Sequence, residues 1–313
     1  MAAGRTEHWI HVGRRVDGTA WRIRVVEHRG DRPGDRTVVF GGSLGDKPLG
    51  SLAVQELDRR IGAHDGLVGE VVLVPAANPL ALEHATRENP DGKVLTRQFP
   101  GDRKGFATDQ LAATLLDEVV DGARCVVDLH SGSPTMSLAY TYDYGDRALA
   151  ASFGYLPVVS GHTAPGQLGL LADELGFGFL LPEFGGGPLG STSIGVEGVL
   201  NVLRYRGQLP GGPTGPSTVP LIEQKQLFRA STHGVLVDRN TAVDAVGQSV
   251  APGELCAILD VATGEPLESF HSGGESDDQD VVLLMARTTP IMVRPGDFVA
   301  MVGPVVGRLP VGR

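Results

Sequence analysis

Glu183 follows the apolar run Phe179-Leu180-Leu181-Pro182 and stands just before a glycine-rich turn, Gly185-Gly186-Gly187. A carboxylate in such a place is partly desolvated, and burial raises its pKa toward neutrality, which suits general acid/base work. His130 ends a second strand-like run, Val126-Val127-Asp128-Leu129, beside Ser131. An imidazole at a strand end can shuttle a proton or orient a substrate, although a satisfied core histidine fits the same position. Lys47 lies in a third glycine-rich stretch, Gly41-Gly42-Ser43-Leu44-Gly45-Asp46-Lys47-Pro48-Leu49-Gly50. With Arg87 and Arg97 it would make a cationic cleft in an acidic protein, and guanidinium forks suit bidentate recognition of a carboxylate. That combination favours a small anionic substrate such as an amino-acid derivative. The competing readings are plain: Lys47 as decoration of a helix start, the arginines and Glu183 as partners in ion pairs.

These residues need elements to hold them. Apolar, β-branched runs at 37–40, 71–74 and 125–128 alternate with helical patterns at 49–61 and 107–121. Leu111, Leu115, Leu116 and Val119 recur at the spacing of one buried helix face. Short strands bounded by glycine, alternating with helices, predict an α/β layer fold with a mixed, largely parallel sheet. The glycine-rich turn after 37–40 then falls at the carboxyl edge of the strands, where ligand crevices form. Further strands are expected at Ser137–Tyr142 and Leu156–Ser160, and helices at Gln167–Leu175 and Ser193–Arg206. Asn89-Pro90-Asp91-Gly92 reads as a turn. The stretch Gly207 to Pro216 breaks both periodicities, and residues 231–313 show only short Val-rich runs between Pro-Gly turns. A catalytic-type unit over 1–220 and a small all-β barrel or sandwich over 221–313 follow.

Composition removes several classes of function. The 313 residues are 41% hydrophobic and 20% charged, ordinary for a globular chain. A net charge of −10 argues against a general nucleic-acid surface. No apolar run reaches the roughly 20 residues that span a bilayer, and the first residues lack a hydrophobic leader core. A cytoplasmic, non-membrane protein is expected, with self-association left open. Cys125 and Cys256 read as buried, inert thiols rather than a disulfide. His8, His11, His64, His162, His233 and His271 have no metal-ligand spacing, and the acidic run Glu275 to Asp280 reads as a solvated loop. The turn at 41–46 is no phosphate loop, because the Lys-Ser/Thr ending is missing.

Between positions 41 and 187 the chain resembles the succinylglutamate desuccinylase/aspartoacylase family, a branch of the zinc carboxypeptidase-like fold. That family reads G-G-x-H-G-x-E, D-x-H-S and E-x-G-G at three turns, met here by Gly41 to Lys47, Asp128 to Ser131, and Glu183 to Gly186. Asn78-Pro79-Leu80-Ala81, Thr86-Arg87 and Leu95-Thr96-Arg97-Gln98-Phe99-Pro100-Gly101 resemble its N-P-x-A, T-R and L-N-R-x-F-P-G. The resemblance implies zinc on the first His, the first Glu and the second His, with the last Glu as general base. It also implies substrate contacts from Arg87, Arg97, Asn78 and position 96, where Thr96 replaces the family Asn. His130 and Glu183 match, whereas Leu44 and Lys47 stand where the first two zinc ligands belong.

Leucine cannot ligate, and an ammonium ~4 Å from a dication is repelled by about 8 kcal/mol at an effective dielectric of ~20. The family's zinc and the Lys47 ammonium therefore exclude one another. In the leading reading the ammonium takes over the metal's charge and stabilises an oxyanion, in a deacylase acting on an amide or related acyl bond without a cofactor. Glu183 is then acid and base, His130 assists proton transfer, Arg97 helps Lys47 at the oxyanion, and Arg87 holds a substrate carboxylate. Elimination, cyclisation or acyl transfer would suit such a site as well as hydrolysis. Two alternatives stay open: zinc rebuilt on His130 with Asp46 or His84, and a non-catalytic protein that kept the cleft as a ligand pocket.

Overall fold

A computed structural model describes residues 4–62, 65–161, 164–187, 189–239, 245–273 and 280–312. His64, His162 and positions 275–279 of the acidic run lie outside the described residues. The chain opens with an antiparallel hairpin of β1 (Gly4–Arg14) and β2 (Ala20–Arg29). Strand β3 (Arg32–Gly41), helix α1 (Leu49–Gly62) and strand β4 (Val68–Val74) follow, with β3 and β4 parallel. Next come α2 (Pro79–His84) and α3 (Ala107–Leu115). The helix expected over 107–121 changes at Leu116–Val120 into a π-helical turn that buries Val119 and Val120. β5 (Cys125–Ser131), β6 (Met136–Asp143), α4 (Arg147–Ser152), β7 (Val158–Val159) and α5 (Ala172–Leu175) lead to β8 (Gly178–Gly185) and α6 (Ser193–Tyr205).

The remaining elements are strands: β9 (Thr218–Ile222), β10 (Gln226–Arg229), β11 (Gly234–Asp238), β12 (Ser249–Val250) and β13 (Gly253–Leu259). They continue as β14 (Pro266–Ser272), β15 (Val281–Arg287), β16 (Ile291–Val293) and β17 (Phe298–Pro310). β14, β13, β11 and β16 form a separate antiparallel sheet. The others join one large mixed sheet in the order β1-β2-β4-β3-β5-β8-β6-β7-β9-β17-β15-β12, with β10 on β17. β15 also pairs with β6, so β6, β7, β9, β17 and β15 close into a ring.

Alternation in the parallel strands distributes the core over both sheet faces. Val39, Val127 and Leu129 pack against Ala53, Val54 and Leu57 of α1 and Val199 of α6. Val38, Phe40 and Val126 pack with Leu111 and Leu115 of α3. Every residue of β5 is buried, as expected for an inner parallel strand covered on both faces. Cys125 and Cys256 are free and buried, and burial pushes both thiols up to about 12.

β3, β5 and β8 run parallel, so their carboxyl ends share one sheet edge. Two glycines let the chain after β3 pack closely, Gly50 of α1 on this edge and Gly45 of the loop on α2. A Cβ at Gly50 would collide with the Leu129 carbonyl, and one at Gly45 with the Ala81 carbonyl. That close approach brings Lys47 to the ends of β5 and β8.

Candidate functional site

His130 and Glu183 are direct cross-strand partners on β5 and β8. The imidazole Nδ1 lies 3.5 Å from Glu183 Oε1, and Nε2 lies 3.0 Å from Asp128 Oδ2 on the same strand. Lys47 reaches in from the β3–α1 loop and places Nζ 3.3 Å from the other Glu183 oxygen, Oε2. The side chains of Lys47 and Glu183 are only 12% and 11% exposed. Behind them, Ser43 Oγ donates to Asp128 Oδ1 at 2.7 Å, and Asn78 Nδ2 donates to the Ser43 carbonyl at 3.3 Å. The result is a hydrogen-bonded line running Asn78, Ser43, Asp128, His130, Glu183, Lys47.

This line sets the charge states. Burial alone would push the His130 pKa down, but the carboxylates of Asp128 and Glu183 outweigh it and raise it to about 9. The imidazole is therefore cationic at neutral pH. For Glu183 the expectation of a raised pKa is corrected. Burial does push it up, but Lys47 and the hydrogen-bonded imidazole push harder and hold the carboxyl down at about 2. Two positive partners decide the outcome.

The network forms one wall of a cavity of about 420 Å³ that also takes in Leu44, Asp46, Arg87, Thr96 and Arg97. Thr96 is buried, and Arg97 donates to its carbonyl at 3.1 Å. Arg97 has no carboxylate partner among the described residues, and its pKa is lowered by burial and then by the like charge of Arg87. Arg87 is exposed at the rim. Asp46 carries a buried Oδ1 with no partner among the described residues. Asn78 lies outside the cavity lining, where its side chain caps α2 by accepting from Ala81 N–H at 3.3 Å. His84 is exposed, faces the Leu80 carbonyl and borders a separate depression with Thr86 and Arg87.

Several lining residues carry no signal in the motifs. Tyr140 is the cross-strand partner of Glu183, and its ring meets Tyr142 edge-on at 5.0 Å. Both could have been found, since alternation along the expected strand Ser137–Tyr142 puts Leu138, Tyr140 and Tyr142 on one face. Burial pushes the Tyr142 hydroxyl up to about 12. Lys225, at the end of the β9–β10 turn, donates to that hydroxyl at 3.3 Å and lies 4.7 Å over the ring. Nothing in the sequence ties it to the site.

Zinc held by the set that the family resemblance implies would need lone pairs from positions 44, 47 and 130. Leu44 has none, the Lys47 ammonium is bound to a carboxylate, and both His130 nitrogens face carboxylates. These residues do not fit the ion. Among the described residues no group of three or more His, Cys, Asp or Glu side chains converges to hold a metal. No helix among them is long and apolar enough to cross a membrane.

A family model for the succinylglutamate desuccinylase/aspartoacylase catalytic domain matches residues 33–205, more than half of the chain. The chain is 29% identical over 317 residues to N-alpha-acetyl-L-2,4-diaminobutyric acid deacetylase of Halomonas elongata, covering 94% of this chain and 90% of that protein. Among solved structures, succinylglutamate desuccinylase/aspartoacylase of Rhodobacter sphaeroides superposes with a TM-score of 0.81 at 24% identity, over 98% of this chain and 97% of that one. The product-bound ectoine utilization protein of Ruegeria pomeroyi gives 0.79 at 22% identity, over 97% and 96%. These two likenesses establish the fold.

Proposed function

The chain belongs to the succinylglutamate desuccinylase/aspartoacylase family, and on that premise we propose that it hydrolyses an acyl–amide bond in a small anionic amino-acid derivative, with the Lys47 ammonium in the role of zinc. The observation that carries this reading is the Lys47 Nζ to Glu183 Oε2 contact of 3.3 Å inside the cavity. The Halomonas relative, a deacetylase of an acetylated diamino acid, supports the reaction type.

The substrate carbonyl oxygen replaces Glu183 as the acceptor of the ammonium. Lys47 then stabilises the negative charge that develops as water adds, a contribution of about 3–4 kcal/mol for a well-placed donor. Losing its Lys47 partner frees Glu183. As a buried carboxylate without that cation its pKa climbs, and it becomes competent to take a proton from the attacking water. It returns that proton to the leaving amine as the C–N bond breaks, giving a carboxylic acid and an amine. His130, fixed as an imidazolium by Asp128, holds the second Glu183 oxygen through both steps. Arg97 and Arg87 grip a substrate carboxylate, and the Thr96 hydroxyl adds a neutral hydrogen bond. No step passes through a metal.

The non-catalytic reading gains from the same network, because Lys47, Glu183 and His130 satisfy one another without substrate. One experiment separates the two. Chelator-treated protein is assayed against a panel of N-acyl amino acids, alongside Glu183→Gln. Turnover that survives chelation and vanishes in the variant supports hydrolysis. Binding with no turnover by either protein supports a ligand pocket. Turnover that appears only with added zinc supports the rebuilt metal site.

A further inference from the structure

Beyond the charged network the cavity wall is partly apolar, with Ser133, Gln167 and Lys225 among its polar members, and one apolar row of it is continuous. Leu138 on β6 pairs directly with Met285 on β15, Met285 with Met301 on β17, and Met301 with Leu227 on β10. Directly opposed residues share a sheet face, and all four line the cavity. The row begins two residues along β6 from Tyr140, the partner of Glu183. With strands ~4.8 Å apart, three steps carry it about 14 Å along the sheet, from β6 to β10. The closed ring of strands is what folds this row into a wall rather than an outer surface. Leu227 and Phe298 are 41% and 37% exposed at the open end, and the Arg229 guanidinium lies 3.8 Å over the Phe298 ring.

An acetyl group needs none of this. A cavity of about 420 Å³ falls within the roughly 300–1,000 Å³ of pockets that take drug-sized ligands. Its far wall offers a hydrocarbon surface with two methionines, side chains that re-pack around variable shapes. Arg97 and Arg87 supply the opposite chemistry at the other part of the same space.

We infer that the substrate is amphiphilic: a carboxylate for Arg97 and Arg87, and a hydrocarbon or aryl group of several carbons laid along Leu138, Met285, Met301 and Leu227. This deepens the substrate class of the proposed deacylase and rests on that reading for the reaction, but not for binding. The apolar group is either the acyl chain or the amino-acid side chain; both present the same surface.

Two ligand series tell the sources apart. One is N-acylglycines with acetyl, butanoyl, hexanoyl and octanoyl chains; the other is N-acetyl derivatives of alanine, norleucine and phenylalanine. Affinity is measured by titration calorimetry on the full chain, and kcat/KM in parallel. In one series each added methylene should tighten binding about fourfold, the equivalent of ~0.8 kcal/mol. Leu227→Asp, at a half-exposed position that leaves folding intact, should cancel that gain for chains of six carbons or more. Affinity that is flat or falls with length in both series overturns the inference, as does an unchanged slope in Leu227→Asp. Rising affinity without turnover keeps it and removes the hydrolase; turnover confined to the shortest member of each series, N-acetylglycine and N-acetylalanine, does the reverse.

Discussion

Lys47 and Glu183 stand 136 residues apart in the chain and meet end to end in a buried ion pair, Nζ to Oε2 at 3.3 Å. In resting protein the ammonium helps to hold Glu183 as a carboxylate against its burial, and neither side chain is free to do chemistry. In the proposed mechanism it is the substrate that separates them.

Lys47→Met should therefore have two effects. Loss of the oxyanion donor lowers kcat by about a hundred- to a thousandfold, read in steady-state assays with the best N-acyl substrate. With the ammonium gone, the Glu183 carboxyl rises from its low value, read by carbon-13 NMR titration. A variant with normal kcat contradicts the role given to Lys47.

Stability should depend on pH on both sides of a plateau. The folded-state pKa of His130 is raised from 6.5 to about 9, so its contribution is complete below 6.5 and lost as pH climbs through 9. Glu183 is lowered from 4.5 to about 2, so its share is complete above 4.5 and lost as pH falls through 2. Each arm is of the order of a few kcal/mol. Urea unfolding across pH checks this: wild type should weaken between pH 6.5 and 9, and His130→Gln should not.

Asp128→Asn tests the support behind the imidazole. It removes the nearer carboxylate, 3.0 Å from Nε2, so the His130 pKa should drop toward its ordinary value. Proton NMR of the imidazole reads the shift directly. A pKa that stays near 9 would mean that Glu183 alone holds the charge.

Arg97→Met should raise KM by about ten- to a hundredfold while changing kcat little, the signature of a lost binding contact that is equal in ground and transition states. Arg97→Lys should recover only part of the affinity, because an ammonium lacks the bidentate fork. An effect confined to kcat would move Arg97 into the chemistry.

The strands and turns that carry the site were legible because burial leaves a local imprint. Val38 to Phe40, Cys125 to Val127 and Phe179 to Leu181 are apolar since both sheet faces are covered, and glycines mark where the β3–α1 loop must come close. β1 left no such imprint, being mostly exposed, and reads like surface chain. The Glu183 pKa departs from the sequence expectation for a related reason. Its burial is written in its neighbours, but the two cations that outweigh burial come from β5 and the β3–α1 loop. Lys225 is further removed, since only the return of the chain after β9 brings it over Tyr142. Contacts across the sheet are set by topology, which no local pattern records.

The most direct test is a crystal structure with a phosphinate analogue of an N-acyl amino acid, grown with zinc present and measured at the zinc absorption edge. The expected result is Lys47 Nζ within hydrogen-bonding distance of a phosphinyl oxygen, Glu183 on the other, and no anomalous peak beside His130. A zinc peak ligated by His130, with Lys47 swung out of the cavity, would contradict the account.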